Sequence, residues 1–75
     1  MSYWYYVFKL KTEDGFEGVF DSVASSINET FPIIAIKDFF INNLEERINE
    51  VQVINCVEIS DNDYLDYCKR YIGND

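Results

Sequence analysis

Seventy-five residues carrying 14 acidic and 6 basic side chains, net charge −8, with no histidine, leave room for one domain, 1–75, and no second. The acidic balance opposes nucleic-acid binding, which needs Lys and Arg to neutralise phosphates, and opposes docking on an anionic membrane for the same reason. Without histidine, the commonest general base near neutral pH is missing. A chain this short buries a modest share of its surface. Its 17% aromatic content supplies the compensating core, each buried ring removing about 150–250 Å² from water.

Tyr3 to Lys11 reads as the first strand. Tyr3-Trp4-Tyr5-Tyr6-Val7-Phe8 is a run of aromatic and β-branched residues, too short to span a membrane and suited to a strand that meets apolar surface on both sides. Period-2 alternation puts Trp4, Tyr6, Phe8 and Leu10 on a core face. Tyr3, Tyr5, Val7, Lys9 and Lys11 share the other face, which is partly covered or meets a partner near Tyr3 and Tyr5. Glu13-Asp14-Gly15 is a hairpin turn, because Gly15 tolerates φ > 0.

The second strand begins at Phe16 or Glu17 and includes Val19 and Phe20. Asp21 to Ile27 either extends it or forms a short helix capped by Asp21; the extended, serine-bearing edge strand is preferred. Gly18 then marks a bulge or a close backbone approach. Asn28-Glu29-Thr30 is a loop, and Phe31 before Pro32 is extended. Pro32 opens a helix that runs at least to Leu44 and extends at most to Asn49. Ile33, Ile36, Phe40, Leu44 and Ile48 form its apolar stripe, widened by Ile34 and Ile41.

Val51 to Ile59 reads as the third strand, with Val51, Val53, Val57 and Ile59 on one face and Gln52, Ile54, Cys56 and Glu58 on the other. Ser60 is a natural N-cap, and Asp61 and Asp63 suit the positive end of the following helix. Tyr64, Leu65, Cys68, Tyr71 and Ile72 lie at helical spacing as an inward stripe, and Gly73 is the stop. No internal repeat and no low-complexity segment interrupts this order. It predicts an α+β fold, ββαβα: a three-stranded antiparallel sheet with the first strand central and helices packed on it.

No constellation for chemistry survives inspection. Cys56 and Cys68 fit neither CxxC spacing nor a secreted framework, so both are expected as free thiols packed as small apolar groups. Two cysteines without histidine cannot complete a zinc site. A catalytic thiolate needs a basic partner, and Lys69 and Arg70 adjoin Cys68 at spacings that do not face it on a helix. Asp61 to Asp66 resembles the start of a calcium loop, but Leu65 stands at a ligand position, Asp66 at the turn glycine and Ile72 at the terminal glutamate. Asn28-Glu29-Thr30 matches a glycosylation sequon, which has no meaning without secretion. Tyr3, Tyr5 and Val7 share the form of a base-stacking platform, but lack its flanking positive charge. No enzyme activity, cofactor or metal is expected.

The aromatic strand Tyr3–Phe8 with its glycine-bearing hairpin, the Phe31-Pro32-Ile33 helix start, and the Val53-x-Asn55-x-x-Glu58-Ile59-Ser60-x-x-Asp63-Tyr64 join together resemble small uncharacterised bacterial ββαβα proteins. The resemblance implies the fold and brings no activity or ligand.

The functional expectation is a non-catalytic protein–protein interaction module, with itself (a homodimer) or another protein as partner and with no nucleic acid or membrane. Tyr3, Tyr5 and Val7 are its candidate interaction surface, since exposed aromatic patches mark interfaces. The alternative is an acidic inhibitor that mimics nucleic acid on a basic partner. It requires one continuous acidic face from Glu13, Asp14, Glu17 and Asp21, or from Glu45, Glu46 and Glu50. The chain start lacks a basic, long apolar signal segment, so a cytoplasmic location is expected.

Overall fold

Alternation along the aromatic strand sets the architecture, which we describe from a computed structural model for residues 1–43 and 48–72. Strands β1 (Ser2–Thr12), β2 (Glu17–Ser26) and β3 (Ile48–Ile59) form one antiparallel sheet in the order β2-β1-β3. Helix α1 (Ile33–Asn43) joins β2 to β3, and α2 (Asp61–Tyr67) follows β3, its last residues continuing as a π-helical turn, Cys68–Ile72. The aromatic strand is therefore central, as expected, and the fold is α+β.

The β1–β2 hairpin closes at Gly15, the one residue with positive φ (+95°) among those described. Thr12 N–H donates to the Phe16 carbonyl at 3.0 Å, and the Thr12 hydroxyl donates to the Asp14 carboxylate. From there β2 pairs with β1 without a break up to Ser2 opposite Ser26, so the stretch from Asp21 is strand up to Ser26. Gly18 is a close approach and not a bulge. A Cβ there would lie 2.8 Å from the Phe20 ring, which folds back over it.

The core sits between β1 and α1. Tyr6, Phe8 and Leu10 from β1, Ile36 from α1 and Val51 from β3 are buried. The Phe8 ring lies 4.6 Å from Phe40, and Phe31 packs edge-on against both Trp4 and Tyr6. Pro32 contributes the first carbonyl of α1, which accepts from Ile36 N–H. The core face also ends in buried polar residues, Ser2 and Thr12. Ser2 Oγ accepts from the Trp4 indole N–H and donates to the Asn28 carbonyl, tying the 27–30 loop to the sheet.

Several boundaries and faces differ from expectation. Ile48 and Asn49 belong to β3 and not to α1; Leu44, which would extend the stripe of α1, and Gly73 lie outside the described residues. Ile33, expected in the stripe, and Ile34 and Ile41, expected to widen it, are exposed, because α1 turns Ile36 and Phe40 to the core. In β3 the apolar face is not continuous. The register passes from Val7 opposite Asn55 to Phe8 opposite Val53, leaving Ile54 as an extra residue. Such a bulge reverses the inward face. Val51 and Val53 join Leu10 and Phe8 in the core, while Val57 and Ile59 pair with Tyr5 and Tyr3 on the opposite side. Cys56 is exposed and Cys68 half-buried; both are free thiols. Cys56 stands opposite Tyr6 on the edge strand β3.

Candidate interaction surface

Residues directly opposite in an antiparallel pair project from the same face. One face of the sheet thus carries Tyr3, Tyr5, Val7, Lys9 and Lys11 of β1 beside Ser25, Val23, Asp21, Val19 and Glu17 of β2. Helix α2 lies on this face, on the side of the sheet away from the core that α1 covers. Ser60 Oγ accepts from Asp63 N–H at 3.1 Å and starts the helix. The rise to one face then brings Tyr64 over Tyr3, with ring centroids 4.8 Å apart, and Tyr67 edge-on to Tyr5 at 6.1 Å.

Tyr3, Tyr5 and Val7 are all half-buried; α2 covers the two tyrosines. Asp21 anchors the cluster. Its carboxylate accepts from the Tyr5 hydroxyl at 2.9 Å, and its carbonyl accepts from the Tyr67 hydroxyl at 3.2 Å. The Asp21 hydrogen bond is the main reason the Tyr5 phenol pKa lies above its ordinary value, since ionisation would set two anions together. Burial chiefly raises that of Tyr67. Tyr67 is absent from the stripe read in the sequence, whereas Leu65, Tyr71 and Ile72, which are in it, are exposed. The π-helical turn explains part of this, because i→i+5 bonding departs from the 3.6-residue period used to draw the stripe.

The candidate acidic face is divided. Glu13 and Asp14 stand at the hairpin tip, and the Thr12 hydrogen bond is the main cause that lowers the Asp14 pKa. Glu17 lies between two lysines, 2.6 Å from Lys9 Nζ and 3.8 Å from Lys11 Nζ. That hydrogen bond to Lys9 lowers the Glu17 pKa and raises the Lys9 pKa. Asp21 is held by Tyr5. In the second set, Glu50 stands opposite Lys11, and Glu45 and Glu46 lie outside the described residues.

An apolar groove on the other face is not legible as a site in the sequence. Helix α1 leaves the β2 side of the sheet uncovered, opening two adjoining hollows of about 410 and 400 Å³. They share Ser22 and Phe40; Phe16 and Phe20 line the first, and Ala24, Ala35 and Phe39 the second. Phe16, Phe20 and Phe39 are each exposed. The adjacent pair Phe39-Phe40 was the available signal. Two successive helical residues point about 100° apart, so both cannot sit in one buried stripe. Among the described residues no group of His, Cys, Asp or Glu is placed to hold a metal ion, and no helix is long and apolar enough to cross a membrane.

Comparison of the chain with protein-family models, with curated proteins and with solved structures found no match.

Proposed function

We propose that this protein is a non-catalytic protein–protein interaction module that works as a homodimer in the cytoplasm. The observation that carries the reading is its surplus of surface. The chain exposes 5471 Å², whereas a compact monomer of its 8.9 kDa mass exposes about 4,800 Å². The difference, roughly 650 Å², is close to the ~800 Å² that each partner buries in a standard interface. The radius of gyration points the same way: 12.9 Å against about 11 Å for a compact domain of this length. Phe16, Phe20, Ile34 and Phe39 are exposed, and no large side chain is completely buried among the described residues. Patches of this kind mark association surfaces.

Light scattering coupled to size-exclusion chromatography over a micromolar dilution series tests this. The expected mass is twice the 8.9 kDa of one chain. A monomer mass at every concentration overturns the reading.

A further inference from the structure

We infer that two copies join edge to edge through β2, in antiparallel register about a two-fold axis at Ser22, to make one continuous six-stranded sheet. This rests on the homodimer reading and specifies its interface.

The two sheet edges are unlike. On β3 the pairing with β1 shifts register twice, at Val7/Phe8 and at Lys11/Thr12. Bulges of that kind protect an edge from further pairing. On β2 the pairing runs unbroken from Glu17 to Ser26, the strand contains no Lys, Arg or Pro, and its two charges, Glu17 and Asp21, are engaged within the chain by Lys9 and Tyr5 instead of standing bare on the edge. The bond from Thr12 N–H to the Phe16 carbonyl identifies which residues face outward. Backbone bonding alternates along an antiparallel pair. The even-numbered residues of β2 therefore turn their N–H and C=O groups to β1. Val19, Asp21, Val23 and Ser25 turn theirs to the free edge. The Asp21 carbonyl already accepts from Tyr67, and its second lone pair remains for a partner.

The strand is complementary to itself in one long register. A two-fold at Asp21 would set that carboxylate against its copy, and like charges directly opposite are destabilising. A two-fold at Ser22 keeps the same overlap and sets Asp21 opposite Val23, Val19 opposite Ser25, and Phe20 opposite Ala24. Large meets small at each of the last two pairs. The two-fold stands perpendicular to the sheet, so both α1 helices lie on one side of it. Each Phe20 ring, folded over its own Gly18, then has its exposed side covered by the β2 strand of the second copy. The grooves of the two copies, lined by Phe16, Phe20 and Phe39, then adjoin across the axis.

The test uses a Cys56→Ser, Cys68→Ser background. Ser22→Cys places one thiol at the axis, opposite its copy in a non-hydrogen-bonded pair with Cα atoms about 4.5 Å apart, within disulfide reach. Mild oxidation is expected to give a cross-linked dimer on a non-reducing gel. Ser25→Cys, set opposite Val19, is expected to give none at the same concentration. In the native background, Val23→Pro removes outward N–H donors from both copies without touching the β1 pairing. It is expected to weaken dimerisation about 30-fold, the equivalent of the two lost hydrogen bonds, with an unchanged far-ultraviolet spectrum. If Val23→Pro fails to fold, the Ser22→Cys cross-link alone decides. A dimer by light scattering that does not cross-link at Ser22→Cys, or that cross-links equally at Ser25→Cys, overturns the β2 interface and leaves the homodimer standing. A monomer overturns both.

Discussion

At the scale of single residues, a few groups with shifted pKa values make stability depend on pH. Glu17 and Asp14 have lowered pKa values, through Lys9 and Thr12 respectively. A carboxyl with a lowered pKa in the folded state binds fewer protons there than when unfolded, so its contribution is present above about pH 4.3 and is lost as pH falls through the folded value. Tyr5, Tyr6 and Tyr67 have raised values, as does Lys9. Their contribution is complete below about pH 10 and is lost as pH rises through the folded values. Urea midpoints are thus expected to hold level between these limits and to fall on both sides, with the tyrosine absorbance at 295 nm rising later than in the unfolded chain. Glu17→Gln is expected to flatten the acid limb; an unchanged limb would sink this account of it. Only part of this is legible in the sequence. Lys9 and Lys11 were visible as the polar end of a face, but their partner Glu17 is across the hairpin, and pairing depends on register. Asp21 as the joint acceptor for Tyr5 and Tyr67 needed three elements in place at once.

At the scale of elements, local punctuation was reliable and boundaries set by tertiary contact were not. The Asp14-Gly15 turn, the Pro32 start of α1 and the Ser60 cap all act through neighbouring backbone, so a few residues suffice to identify them. The break between α1 and β3 is different. Ile48 continues the helical stripe by spacing, yet it stands opposite Thr12 as a strand residue, because pairing with the central strand outweighs helical propensity. Helix α2 is short and depends on its cap. Ser60→Ala removes the acceptor for Asp63 N–H and is expected to cost about 1 kcal/mol, read as a lower urea midpoint at constant slope. Ser60→Asp is expected to restore it. Since α2 carries Tyr64 and Tyr67 onto Tyr3 and Tyr5, the same loss should raise solvent access to those tyrosines. An alanine variant of wild-type stability would mean that the tyrosine contacts, and not the cap, hold the helix.

At the scale of the whole molecule, two helices divide the faces of one small sheet and leave its β2 side open. Among the described residues the buried apolar set is thin: Tyr6, Phe8, Leu10, Ile36 and Val51. A partner that binds only the folded chain adds stability by mass action. The apparent melting temperature is therefore expected to rise with protein concentration. At a fixed concentration it should rise with salt, because copies of net charge −8 repel and salt screens that repulsion. A melting temperature independent of concentration across the range where light scattering changes would contradict coupled folding and association. The amino-acid sequence by itself determined the element order, the central place of the aromatic strand and the core face through Tyr6, Phe8 and Leu10, because alternation, turns and caps are local. Tertiary structure alone decided that α2 covers Tyr3 and Tyr5, that β3 reverses its inward face at Ile54, and that Phe16, Phe20 and Phe39 line an open groove. Those outcomes depend on which strands pair and in what register, and on how much of a sheet an eleven-residue helix can cover. No residue carries that information alone.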